Sequence, residues 1–214
     1  MAADSVKTAD SRKLLNHERA LSRMDQLGVD ALVAAVARNV YYASGFWTRI
    51  SEWGFQEPQA TVIVPRDSAE PATLVVPEFA IAGLLETPTW VPRVRVTEFL
   101  NTSFVAREPE PVRLDPLQAD VEKLYSEKDV STDLAPDIVK GTAHALRELG
   151  LADARVGFDD LRLAQHVQAE LPGLKIVDAH DTWLDIRKVK TPAEIELIAR
   201  ARRSTRPGCA RSCR

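Results

Sequence analysis

Asp185-Ile-Arg-Lys-Val-Lys-Thr-Pro-Ala-Glu-Ile-Glu-Leu-Ile-Ala-Arg200 is the most informative stretch of this 214-residue chain. Within it, Thr191-Pro192-Ala193-Glu194 reads as a helix start. The threonine oxygen can accept from an amide of the first turn, Glu194 can reach back to the cap amide, and proline suits the first helical position because its missing N–H would be unpaired there anyway. Ile195, Ile198 and Ala199 then begin an apolar stripe. From Arg200 onward the text changes: six arginines in fifteen residues, no carboxylate, a Pro-Gly pair and both cysteines, Cys209 and Cys213. The stripe has no continuation there.

A basic, phosphate-binding tail is one reading of that ending. The preferred one is a change of frame. Ser204 to Arg214 can be written in codons that, read in a neighbouring frame, give Ile-Asn-Glu-Ala-Gly-Val-Arg-Ala-Val-Leu-Pro, which would extend the helix. Codons across 200–214 incompatible with that shift would end the idea.

Upstream, helical and strand patterns alternate. Residues 1–10 are small and polar and read as a frayed start. A helix is expected from Ser11, with Leu14, Leu21 and Met24 along one stripe and Gly28 as the stop. Asp30 to Ala35 reads as a buried strand, and Asn39 as the cap of a brief turn through Tyr41 and Tyr42 closed by Gly45. Thr61–Val64 and Thr73–Val76 are strands ended by prolines, Glu78–Glu86 a short helix and Arg93–Phe99 a strand. Residues 106–130 are too weakly periodic to assign. Asp137–Leu149 is an amphipathic helix, Arg155–Phe158 a strand, Leu161–Leu171 a helix and Leu174–Val177 a strand. This alternation favours one α/β domain with helices on both faces of a sheet.

Bulk properties narrow the function. With 45% hydrophobic and 28% charged residues, the chain has the composition of an ordinary globular protein. A net charge of −3 gives no whole-molecule attraction to nucleic acid or anionic lipid. The longest apolar run, Ala31 to Ala37, is far too short to span a bilayer, and the start lacks the apolar core of a signal peptide. A body without cysteine suits a reducing compartment, so a cytoplasmic location is expected.

The candidate sites are few. His17, His144, His166 and His180 show no metal-ligand spacing. His144 and Glu148 share a helix face and read as a surface pair. Asp178, His180, Asp181 and Asp185 could bind a cation or supply an acid and a base, but capping and loop solvation are preferred, as for Asp159 and Asp160. No nucleotide-binding glycine loop is present, and a nuclease is rejected because Ala31–Ala35 carries no carboxylate of its own. The segment Tyr41 to Phe55 holds six of the thirteen aromatics, with Arg49 and Glu52 among them. Such a concentration is typical of binding surfaces, although aromatics also plug sheet rims.

Two motifs carry a resemblance. Ile186 to Ala201 resembles the junction of creatinases, prolidases and aminopeptidases P, where an Arg and a Lys precede Ser/Thr-Pro and a Glu opening the first catalytic-domain helix. Arg19 to Val33 followed by Asn39-Val-Tyr-Tyr-Ala-Ser-Gly-Phe46 resembles that family's first helix, first strand and Asn…Tyr…Gly-Phe turn. The order and separation of the motifs match as well, over roughly 11–203.

The resemblance implies a ribonuclease-H-like mixed sheet over 11–190, the start of the first catalytic-domain helix over 191–203, and an out-of-frame tail over 204–214. It implies a non-catalytic chain, truncated before the catalytic domain, with no cofactor of its own. In peptidase relatives two Asp, a His and two Glu of that missing domain bind a divalent metal pair, whereas creatinase works without metal. The expected partners are a pita-bread catalytic domain, its own or separately encoded, and further copies in a homo-oligomer, with neither nucleic acid nor membrane. A chain lacking that domain is expected to aggregate or self-associate weakly. Because the family's aromatic loop shapes a neighbouring subunit's substrate pocket, Asn39, Tyr42, Gly45, Phe46 and Trp47 are the expected pocket or interface residues, with Gly45 in a backbone role. The alternatives are a stand-alone protein-binding module and one half of a split two-gene hydrolase.

Overall fold

The computed structural model describes residues 13–47, 58–86, 88–98, 115–131 and 134–212. The expected frayed start, the later part of the aromatic segment (Arg49, Glu52, Trp53 and Phe55 included) and Cys213 lie outside them. The elements run α1 His17–Leu27, β1 Ala31–Ala34, α2 Ala37–Ser44, β2 Thr61–Pro65, β3 Thr73–Pro77, a 3-10 turn Glu78–Ala80, α3 Ile81–Glu86, β4 Arg93–Thr97, α4 Asp115–Glu127, β5 Asp129–Val130, α5 Ile138–Glu148, β6 Arg155–Phe158, α6 Leu161–Glu170, β7 Lys175–Asp178, α7 His180–Lys188 and α8 Pro192–Ser212.

The strands form one mixed sheet in the order β5-β4-β3-β2-β1-β6-β7. Only β2 opposes its neighbours; β3, β4 and β5 run parallel, as do β1, β6 and β7. The period-2 alternation of a strand divides β1 between two cores. Leu32 and Ala34 join one cluster with Met24, Val40, Phe46 and Trp183, while Ala31 and Val33 join another with Leu146, Phe158 and Val167. Helices therefore cover both faces, α1, α2 and α7 on the first and α5 and α6 on the second. Both faces being covered explains why β1 reads as a continuous apolar run rather than an alternating one.

Several boundaries differ from the sequence expectations. α1 begins at His17, not Ser11, because the Asn16 side chain caps it by accepting from the Arg19 amide at 3.2 Å. Leu14 and Leu15 are buried without being helical. Gly28 ends α1 with φ 62°, the left-handed conformation a side chain disfavours. The stretch left unassigned contains α4 and the two-residue β5.

The expected capping box is present. The Thr191 amide donates to Glu194 Oε2 at 3.0 Å, and the Glu194 amide to Thr191 Oγ1 at 3.2 Å. The Thr191 hydroxyl also donates to the Leu14 carbonyl at 3.4 Å, tying the start of α8 to the chain's first described segment. α8 then turns Ala193 and Leu197 onto the first core, and leaves Ile195 and Ile198 each 56% exposed. Its inward stripe is thus not the one expected. The helix continues through the arginine-rich text to Ser212.

Candidate functional site

The expected pocket residues sit on α2 and the turn that follows. α2 starts at the carboxyl end of β1, and Gly45, at φ 72°, stops it by donating its N–H to the Tyr41 carbonyl at 2.7 Å. That geometry gives Gly45 a backbone role at a position where a Cβ would strain the chain. The Ser44 hydroxyl donates to the Val40 carbonyl and accepts from the Phe46 amide, and Thr89 donates to the Ser44 carbonyl, so the turn is held from three directions.

These bonds turn most of the expected contact residues inward. Asn39, Tyr42 and Phe46 are 1%, 3% and 1% exposed. The Tyr42 hydroxyl accepts from the Asn16 amide at 2.9 Å, and its burial raises its pKa above the ordinary tyrosine value. Within this chain all three therefore have packing and hydrogen-bonding roles. Trp47 is half-buried and meets the exposed Tyr41 edge to face, with centroids 5.9 Å apart and planes at 83°. Tyr41, not Tyr42, is the tyrosine that this turn presents outward with Trp47.

Asn39 does not cap α2, as the sequence suggested; Val36 occupies the cap position and makes no side-chain cap bond. The carboxylate at the amino end of α2 arrives from 120 residues away. Asp159, at the end of β6, accepts from the Ala35 amide at 2.7 Å, the Val36 amide at 3.2 Å and Asn39 Nδ2 at 2.7 Å. It does so at the amino end of α2, where a negative charge opposes the helix dipole favourably. Asp159 is therefore not a cap for the following helix; Asp160 alone has that role, accepting from the amides of Arg162 and Leu163. On its other side Asn39 accepts from Arg187 Nη1 at 3.1 Å. The two motifs behind the family resemblance thus meet through one buried amide. Sequence reasoning missed Asp159 and Arg187 as partners of Asn39. A carboxylate directly after the apolar strand Val156–Phe158 was the available signal.

Burial pushes the Asp159 carboxyl up from 3.8 to about 6, against the pull of the Asn39, Ala35 and Val36 donors. A carboxyl whose pKa is higher in the folded chain than in the unfolded one binds its proton more tightly when folded. Its contribution to stability is then complete below the unfolded value and lost as pH rises through about 6. Between pH 4.5 and 7.5 that loss is roughly 2 kcal/mol. His17 acts in the same range with the opposite sign, because burial and Lys13 lower its pKa and its contribution fades as pH falls. Comparison with Asp159→Asn isolates the aspartate. In urea unfolding at several pH values, the wild type should lose stability relative to the variant as pH rises from 4.5 to 7.5. Parallel pH profiles would refute the assignment.

The other candidates resolve into structural pairs. Asp185 binds Arg19 at 2.9 Å and Arg23 at 2.5 Å, fastening α7 to α1. Asp178 accepts from the His180 amide at 3.0 Å. His144 lies 3.5 Å from Glu148, which also accepts from Arg95 Nε at 2.6 Å. Among the described residues no three His, Cys, Asp or Glu side chains gather as a metal site. A cavity of about 240 Å³ lies between Lys13, Trp90 and the β2–β3 turn, and another of about 340 Å³ between α5, α6 and Pro58. Neither is lined by the five expected contact residues.

Comparison with known families settles the class. The profile described as Creatinase/Prolidase N-terminal domain matches residues 17–189, from the first residue of α1 to the end of α7. The chain belongs to the creatinase/prolidase N-terminal domain family. No curated protein matches it. Among solved structures, a proline dipeptidase from Streptococcus pneumoniae is 14% identical, with 83% of this chain covering 100% of that one at a TM-score of 0.49. The N-terminal domain of the cytoplasmic peptidase PepQ from Mycobacterium tuberculosis is 14% identical, with 79% and 96% covered and a TM-score of 0.43. The prolidase from Pyrococcus furiosus is 17% identical with a TM-score of 0.48; 84% of this chain covers only 40% of that one. No helix among the described residues is long and apolar enough to cross a membrane.

Proposed function

We propose that this creatinase/prolidase N-terminal domain is a non-catalytic, cytoplasmic unit. It works beside a pita-bread catalytic domain of a creatinase- or Xaa-Pro-peptidase-like metallohydrolase, helping to form that domain's substrate pocket and subunit interface. The observation that carries this reading is α8. The helix begins just past the family match with a closed capping box, grips the first core through Ala193 and Leu197, and holds Ile195 and Ile198 outward at 56% exposure each. Two isoleucines one helical turn apart on the outward side form an anchor that a neighbouring domain can bury, at about 1.5–3 kcal/mol for each side chain fully covered. The Tyr41–Trp47 pair is the corresponding candidate for the pocket side.

The test has two arms. The chain alone, with Mn²⁺ or Zn²⁺ and Xaa-Pro peptides, should give no metal-dependent hydrolysis; robust turnover would overturn the reading. A separately produced pita-bread domain of the family should bind it in sedimentation experiments. Ile195→Asp with Ile198→Asp should weaken that binding at least about tenfold, as expected for the loss of interface anchors. A second reading, a stand-alone protein-binding module, is favoured by the outward Tyr41–Trp47 pair alone. It predicts a partner lost with Tyr41→Ala plus Trp47→Ala and indifferent to the isoleucines.

A further inference from the structure

Three buried or half-buried groups from distant parts of the chain form a line: the Asp159 carboxylate at the end of β6, the Asn39 amide on α2 and the Arg187 guanidinium in the last turn of α7. An ionised carboxylate can only accept hydrogen bonds and a guanidinium can only donate. The Asn39 amide between them has one end of each kind. Its NH₂ faces Asp159 at 2.7 Å and its carbonyl faces Arg187 at 3.1 Å, the one orientation that satisfies both neighbours.

A proton on Asp159 removes that consistency. The carboxyl gains a donor inside a group of donors made up of the Ala35 and Val36 amides and Asn39 Nδ2. Turning the Asn39 amide over gives the new O–H an acceptor, but then sets NH₂ against the Arg187 guanidinium. If the amide turns, its contact with Arg187 is lost; if it stays, its bond to Asp159 weakens, so the line from β6 to α7 is held less firmly either way.

The position of Arg187 gives that loss a consequence. α7 is held near its middle by the fully buried Trp183 and Ile186 and by the ion pairs of Asp185. Beyond Ile186 the chain runs outward through the exposed Lys188 and Val189 to the capping box of α8. Arg187 restrains the near end of that junction.

We propose that Asp159, Asn39 and Arg187 form a proton-operated catch, in which the charge on Asp159 sets, through the orientation of the Asn39 amide, how firmly the α7–α8 junction is held to the sheet. The titratable and charged groups around the carboxyl fit this role. Asp160, in its own turn, raises its pKa, and burial does so more strongly, bringing it to about 6. From α7 come Arg187 and His180, whose Nδ1 lies 3.4 Å from the Asp159 backbone carbonyl. From α2 the exposed Arg38 is the other charged residue beside Asn39. Acidification then has two opposite effects: the fold as a whole is stabilised by neutralising a buried charge, while the junction loosens.

Two-dimensional NMR of the full chain, titrated from pH 7.5 to 4.5, tests the catch. The Ala35 and Val36 amides, the Asn39 side-chain amide and the Arg187 Nε–H should move with one shared midpoint near 6. Hydrogen-exchange protection at Lys188 to Lys190, taken relative to the intrinsic rate at each pH, should fall roughly tenfold below it, the equivalent of one charge-assisted hydrogen bond. In Asn39→Ala, the Ala35 and Val36 amides should still titrate, while Arg187 and the junction no longer follow. His180→Gln, which leaves Asp159, Asn39 and Arg187 in place, should leave the midpoint unchanged. Arg187 titrating unchanged in Asn39→Ala, a midpoint that vanishes with His180, or a wild type in which Arg187 and Ala35 titrate apart would each overturn the proposal. The wild-type titration decides even if a variant fails to fold.

Discussion

Trp183→Ala is expected to lower the unfolding free energy by about 4 kcal/mol, in the range typical of a large aromatic truncated inside a core. Trp183 is fully buried and, among the described residues, heads the largest buried side chains. It sits in the middle of α7 and packs in the same core as Leu32, Met24 and Phe46, and its indole N–H donates to the Val33 carbonyl at 3.3 Å. Alanine there removes the ring contacts, leaves a cavity that the surrounding strands cannot collapse to fill, and takes away one of the two donors to the Val33 carbonyl, which keeps the Asp159 amide. Trp183→Phe separates these effects. It keeps most of the packing and loses the hydrogen bond, so it should cost about 1–2 kcal/mol, a combined packing and donor loss. Urea unfolding of the three proteins measures both differences. A loss below about 1 kcal/mol for the alanine variant would mean that α7 is not part of the cooperative unit.

The sequence carried the alternation of α/β elements because most of them bury a face of their own. Ala31–Ala34, Thr61–Pro65 and Thr73–Pro77 are buried along their whole length and read as short apolar runs between turn residues. The capping box of α8 was legible because all its partners lie within four consecutive residues. What was not legible depends on distance or on weak local signal. Leu14 and Leu15 announce burial but not conformation, so they were read into a helix that starts at His17. Among the α4 side chains described, over 119–127, only Leu124 is buried, among charged neighbours, too little for a visible period. Asn39 looked like a cap because its residue type caps helices, yet Asp159 supplies the acceptor from another strand. The aromatic turn was singled out by residue type, which could not say which ring faces out. Adjacent residues on a helix point about 100° apart, and that rotation separates the exposed Tyr41 from the buried Tyr42.

Gly141→Val, finally, is expected to cost about 3 kcal/mol, the upper end of the usual penalty for overpacking. Gly141 lies inside α5 with ordinary helical φ, so conformation does not require a glycine there. Space does. A Cβ at this position would come within 2.4 Å of Thr97 Cγ2 and 3.0 Å of Val75 Cγ1, side chains of β4 and β3 beneath the helix. The helix cannot simply lift away. Thr142 donates its hydroxyl proton to the Ile138 carbonyl at 2.7 Å, so its 2.8 Å contact with Thr61 makes Thr61 the donor, and this buried bond fixes the height of α5 over β2. Raising the helix to admit a side chain would leave the Thr61 hydroxyl unpaired. Gly141→Ala gives the sharper test of sign. In an exposed helix interior the change would stabilise by about 1 kcal/mol, through backbone entropy. Here the close approach should reverse it, to a net loss of about 1–2 kcal/mol after overpacking is set against propensity. Thermal or urea unfolding of both variants decides the matter: an alanine variant more stable than the wild type would show that α5 rides higher on the sheet than these contacts require.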